Sequence, residues 1–115
     1  GIFKIIKIYY RPDKIKKIKA FIKLIKIKKN MGWCDDSKSN YYNKQIKLPN
    51  KFGYERLHRN DNLYDIILVL SYNTNPTIKR RGSAIFIHVS KNSYKKTKGC
   101  IALKKKHLLK LQKMT

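Results

Sequence analysis

The 115-residue sequence predicts a mainly β fold in one domain, on three observations. β-branched residues, above all Ile, dominate the first thirty positions, and such side chains suit a pleated, half-buried surface. Ile66-Ile67-Leu68-Val69-Leu70 is an uninterrupted apolar run of strand length, as expected of a strand buried on both faces. Ala84 to Val89 repeats that signature.

The elements follow in chain order. Ile2 to Tyr9 predicts a strand, and Arg11-Pro12-Asp13 a turn. The chain opens on Gly1 inside this strand-like pattern, so we expect a fragment whose true start lies upstream. Lys14 to Lys29 supports two patterns. Ile15, Ile18, Ile22 and Ile25 recur at helical spacing, which admits a basic amphipathic helix or a membrane-surface segment. Phe21, Lys23, Ile25 and Ile27 fit a strand equally well, and no capping box or glycine stop marks a helix. Asn30 to Asn50 is polar and reads as one long loop, held down by Trp33, Tyr41 and Tyr42. Phe52 to Arg59 reads as a short helical turn, and Tyr64 to Tyr72 as a strand. Asn73 to Gly82 is turn-rich, and Ala84 to Val89 is the second buried strand. Ser90 to Gly99 is a polar loop, Cys100 to Leu103 a short apolar segment, and Lys104 to Lys113 a short C-terminal helix.

The formal charge of +23 first suggests a nucleic-acid or anionic-surface binder. The cations are overwhelmingly Lys, not the Arg whose planar fork suits phosphate and guanine edges. Lys, Ile, Asn and Tyr are the residues that AT-rich codons encode, so a compositional origin is the simpler account, and no specific nucleic-acid partner is expected. No apolar run reaches the roughly 18 residues that a membrane-spanning helix needs, so no span is expected within the chain. The two cysteines, Cys34 and Cys100, do not make a disulfide framework.

The chemistry concentrates in two segments, Gly82-Ser83-Ala84-Ile85-Phe86-Ile87-His88-Val89 and Thr97-Lys98-Gly99-Cys100-Ile101-Ala102-Leu103. A strand delivers His88, a loop follows, and Gly99 precedes Cys100. A cysteine attacks as the thiolate, and an imidazole titrating near neutrality can take its proton. Gly99 allows a sharp turn and leaves space for substrate. Backbone N–H groups around Gly99 and Cys100 could bind an oxyanion. Against this stands the plainer possibility that Cys100 is a small buried hydrophobe and His88 a structural hydrogen-bonder.

His88 followed by Thr97-Lys98-Gly99-Cys100-Ile101 resembles the signature of L,D-transpeptidases of the YkuD type, a His and then a Ser/Thr-X-Gly-Cys motif. Gly32-Trp33-Cys34-Asp35, Leu63-Tyr64-Asp65, Tyr72-Asn73 and Arg81-Gly82-Ser83-Ala84-Ile85-Phe86 extend the similarity over most of the chain. The resemblance implies a β-sandwich or barrel, and it favours strand for the second half of Lys14 to Lys29. It implies a monomeric enzyme of the cell envelope or periplasm, with no metal and no organic cofactor. Its partners would be donor and acceptor peptidoglycan stem peptides. Cys100 would be the acyl nucleophile, His88 the base and then the acid, and Gly99 and Thr97 would shape the oxyanion site. Arg81, Tyr72 and Asn73 are candidates for substrate binding, and Asp65 could line the cleft with them; equally, Tyr72 could cap the core, Asn73 serve the turn, and Arg80 and Arg81 form a solvated basic pair. Cys34 is more simply a packed loop cysteine than a residue supporting the catalytic pair. Two departures stand out: the gap from His88 to Cys100 is short, and Ala102 stands where many members carry Arg or Asn. A hydrolase that resolves the thioester with water, and a basic binding module without chemistry, are the alternatives. A zinc site from Cys34, His58, His88 and Cys100 lacks metal-ligand spacing, and His58 and His107 are expected at the surface.

Overall fold

A computed structural model describes residues 4–74, 76–89 and 101–103. Among them the chain forms eight strands and no helix: β1 (Ile5–Tyr10), β2 (Leu24–Lys26), β3 (Met31–Cys34), β4 (Gln45–Lys47), β5 (Tyr54–Arg56), β6 (Ile66–Leu70), β7 (Phe86–Val89) and β8 (Ile101–Leu103). They make a five-stranded sheet of order β2-β1-β6-β7-β8 and a three-stranded sheet of order β4-β3-β5. The mainly β expectation holds. The expected helix at residues 104–113 lies outside the described residues.

The apolar run of β6 is explained by burial on both faces. Successive strand residues point to opposite sides of a sheet. Ile67 and Val69 join Tyr9 and Phe86 against Trp33, Leu57 and Tyr64, which come from the second sheet and its flanks. Ile66 and Leu68 join Ile8 and Ile87 on the other face, where Ile15 is buried and Ile18, Ala20 and Ile22 pack half-buried. The segment after the first turn is therefore a cover over the outer face of the large sheet. It forms neither a helix nor a strand until Leu24, where β2 pairs parallel to β1.

Two expectations need correction. Asn30 to Asn50 is not one loop, because Met31–Cys34 and Gln45–Lys47 pair as antiparallel strands with Gly32 opposite Ile46. A Cβ on Gly32 would lie 2.8 Å from a Leu48 methyl, so the glycine permits this close approach. Phe52 to Arg59 is not a helical turn. Tyr54–Arg56 pairs with β3, with Glu55 opposite Trp33.

Candidate active site

β7 is the strand on which the candidate base sits. It runs antiparallel to β6, with Ile67 opposite His88, and parallel to β8, with Ile87 opposite Ile101 and His88 opposite Ala102. His88 is only 2% exposed. It shares the face of Phe86, two residues earlier, and so looks towards the second sheet. There the Tyr64 ring meets it edge-on, with centroids 5.6 Å apart and planes at 81°. Tyr64 also meets Phe86 edge-on at 5.9 Å, and Phe86 meets Trp33 at 5.1 Å. The imidazole thus joins a run of edge-to-face rings, an arrangement that fixes ring orientation as well as burying area. The Tyr64 hydroxyl donates to Glu55 Oε1 at 2.9 Å, and the Arg59 guanidinium stands over its ring at 5.5 Å. The ring that orients His88 is therefore itself held by two side chains.

The start of β7 is set by a residue that the sequence does not single out. Asn43, buried and at φ 59°, saturates its side-chain amide. Its Oδ1 accepts from the Ala84 backbone N–H and from Trp33 Nε1, both at 3.1 Å. Its Nδ2 donates to the carbonyls of Asn73 at 2.6 Å and Tyr72 at 3.4 Å. Ser83 Oγ donates to the Cys34 carbonyl, and the Gly82 N–H to the Tyr42 hydroxyl at 3.0 Å. These bonds pin the entry into β7 to the second sheet. Asn at positive φ inside a polar stretch is the one sequence-level hint of such a role, and it carries no periodicity.

The three candidate substrate residues lie in the connection between β6 and β7. Leu70 bonds Ile85 through its N–H, so Tyr72, Asn73 and Arg81 sit beyond the first residues of β7, whereas His88 lies towards its far end. Tyr72 donates its hydroxyl to the Arg81 carbonyl, and Asn73 Nδ2 donates to the Ile78 and Gly82 carbonyls, both at 2.9 Å. Asn73 Oδ1 accepts from the Ile78 N–H at 2.6 Å. These two side chains close the loop before β7. Arg80 and Arg81 are exposed. Asp65 is 1% exposed and pairs with Lys14 Nζ at 3.3 Å, which ties the cover segment to the start of β6 near His88.

Cys34 is a free cysteine, wholly buried beside Ile46 and Leu48. That is the packed environment in which a thiol behaves as a small hydrophobe. His58 is partly buried and its imidazole is held below its ordinary pKa, first by burial and then by the Arg11 guanidinium. No cluster of three metal-ligating side chains occurs among the described residues. Cys100, Gly99, Thr97 and His107 lie outside the described residues, as does the 90–99 loop. A separate groove of about 660 Å³ opens between the sheets on the β1–β2 side, with Tyr9, Trp33 and Val69 among its walls and Lys7, Lys23 and Lys44 around them.

Two sheets packed around a shared core, with an inward imidazole on β7 and β8 running parallel beside it, define a mainly β domain. The L,D-transpeptidase catalytic-domain family (YkuD) matches residues 1–115, and the chain belongs to that family. No curated protein matches the chain. No solved structure matches it either.

Proposed function

We propose that the chain is a single cysteine-dependent L,D-transpeptidase domain of the cell envelope, acting on peptidoglycan stem peptides. The observation that carries this reading is the parallel ladder between β7 and β8. Ile101, bonded to Cys100, pairs with Ile87, bonded to His88. Residues two apart in an extended chain share a face. A strand continued one residue back from Ile101 would thus carry the thiol on the face of His88, with Cα atoms about 8 Å apart. Side chains of Cys and His can bridge that span.

In the proposed reaction His88 takes the Cys100 proton, and the thiolate attacks the carbonyl between an L- and a D-centre of a donor stem. N–H groups at Gly99 and Cys100 stabilise the oxyanion, and Thr97 positions their loop. The tetrahedral intermediate collapses by breaking the C–N bond, and the imidazolium protonates the departing D-amino acid. A thioester remains. An amine of a second stem attacks it with His88 as base, and the thiol leaves with its proton restored. The sequence of steps uses no metal and no organic cofactor.

Brief exposure of the protein to a carbapenem, a carbonyl electrophile that mimics the stem, followed by mass spectrometry, tests the proposal. A single adduct on Cys100 is expected, absent in Cys100→Ala and formed at least 100-fold more slowly in His88→Ala, by the usual worth of general-base assistance. No adduct on folded protein would overturn it.

A further inference from the structure

The cover segment carries a feature that acyl transfer does not use. From Lys14 to Lys29 there are eight lysines, and no acidic residue occurs between Asp13 and Asp35. Ile15, Ile18, Ala20 and Ile22 turn towards the large sheet and anchor the segment. Lys16, Lys17, Lys19, Lys26, Lys28 and Lys29 of the segment are all exposed, while the exposed Lys23 lines the groove between the sheets. Among them stands Phe21, 94% exposed, although neighbouring apolar side chains of the same segment are at least half-covered. An apolar hollow of about 750 Å³ lies beside it, walled by Ile18, Ala20, Leu24 and the stems of Lys17 and Lys19.

A large aromatic held in water on an anchored backbone, ringed by cations, is the composition of an interfacial binding surface. From this juxtaposition we infer that the Lys16–Lys29 face docks the protein peripherally on an anionic lipid bilayer, with Phe21 inserted at the headgroup level. Charge complementarity identifies the sign of the partner, since the face carries cations only. Phe21 identifies its apolar character, because a sulfated or phosphorylated polysaccharide gives a ring no hydrocarbon to enter, whereas a bilayer does; a single-stranded nucleic acid, whose bases can stack on the ring, is the competitor that the binding test decides. The lysine stems lie along the interface while their ammonium groups reach lipid phosphates. The docking face is the outer face of the large sheet, and His88 looks from the inner one, so the bound protein would keep its candidate catalytic face turned away from the lipid.

Co-sedimentation of the protein with phosphatidylcholine vesicles, and with equal mixtures of phosphatidylcholine and phosphatidylglycerol, tests this inference. Binding to the anionic vesicles only is expected, falling steeply with added salt. Phe21→Ala would weaken it about tenfold, from the apolar area that the ring withdraws from water. Each Lys→Gln change among Lys16, Lys17 and Lys19 would weaken it about fivefold. Phe21→Trp would show a blue-shifted emission on anionic vesicles, above the constant background of the buried Trp33. Equal binding to neutral vesicles would overturn the inference. So would binding that Phe21→Ala leaves unchanged, or heparin or single-stranded DNA bound as tightly as the anionic vesicles, since charge alone, or charge with base stacking on the ring, would then account for the face. Carbapenem acylation of Cys100 is read separately, so failure of one proposal leaves the other standing.

Discussion

Replacing Asn43 tests whether one buried amide sets the strand that carries His88. In Asn43→Ala the Trp33 Nε1–H and the Ala84 N–H lose their shared acceptor, and both bonds are buried. A buried donor left unsatisfied costs about 1–3 kcal/mol, so the pair costs about 2–6. The two carbonyls that Nδ2 serves are only part-buried, and water can replace the amide there. The backbone adds its own cost, because φ is 59° at this position. Asn tolerates that region and Ala does not, by about 1 kcal/mol. The expected loss is therefore about 4 kcal/mol, a large part of the 5–15 kcal/mol stability of an ordinary domain. Asn43→Gly loses the same bonds but keeps the backbone relaxed, and would lose about 1 kcal/mol less. Urea unfolding followed by Trp33 fluorescence measures both, and the midpoint should fall at constant m-value. A loss below about 1 kcal/mol in both variants would show that water replaces the amide, and would refute its part in fixing β7.

Phe86, wholly buried between Trp33 and Tyr64, gives a second stability test: Phe86→Ala is expected to cost about 3–5 kcal/mol by urea unfolding, and a cost under 1.5 would contradict the ring stack as drawn. The His58 imidazole has its pKa lowered by folding, so the unfolded chain binds more protons and stability rises with pH. That contribution is complete above the ordinary value of 6.5 and is lost as pH falls below it. His58→Gln should flatten the stability curve between about pH 7 and 5, and an unchanged slope there would refute the assignment. The Asp13 carboxylate, held at about 2 by hydrogen bonds from Arg11, acts in a separate window below its ordinary 3.8, where acid removes the pair, so the two effects can be told apart.

The large sheet was legible because its central strands are wrapped on both sides. Ile66 to Leu70 needs no alternation when odd and even positions both find a core, and a bare apolar run therefore announces it. The small sheet was not legible, for the converse reason. Gln45-Ile46-Lys47 sends one residue inward, and Tyr54-Glu55-Arg56 none wholly, so neither offers a period to read. Such strands are held by their pairing to β3 and by contacts distant in sequence. Lys14 to Lys29 carried both periods, and the outcome was decided by tertiary contact. Its isoleucines meet a sheet face, for which strict helical spacing is not required.

The candidate site divides along the same line. His88 stands out as a candidate in the sequence because chemistry selects the residue type and a readable strand presents it. Tyr72 and Asn73 are candidates through their nearness in sequence to a strand end, and the antiparallel register places that end away from His88. Asn43, 45 positions before His88, was invisible because its importance lies wholly in four hydrogen bonds to other segments. The division has a functional consequence. In the large sheet β7 is flanked by β6 and β8, with ladders on both sides and aromatic rings beneath, so the imidazole cannot wander. Among the described residues β8 is paired on one side only. In the proposed reaction a nucleophile carried at the start of β8 would meet a base whose position these ladders fix.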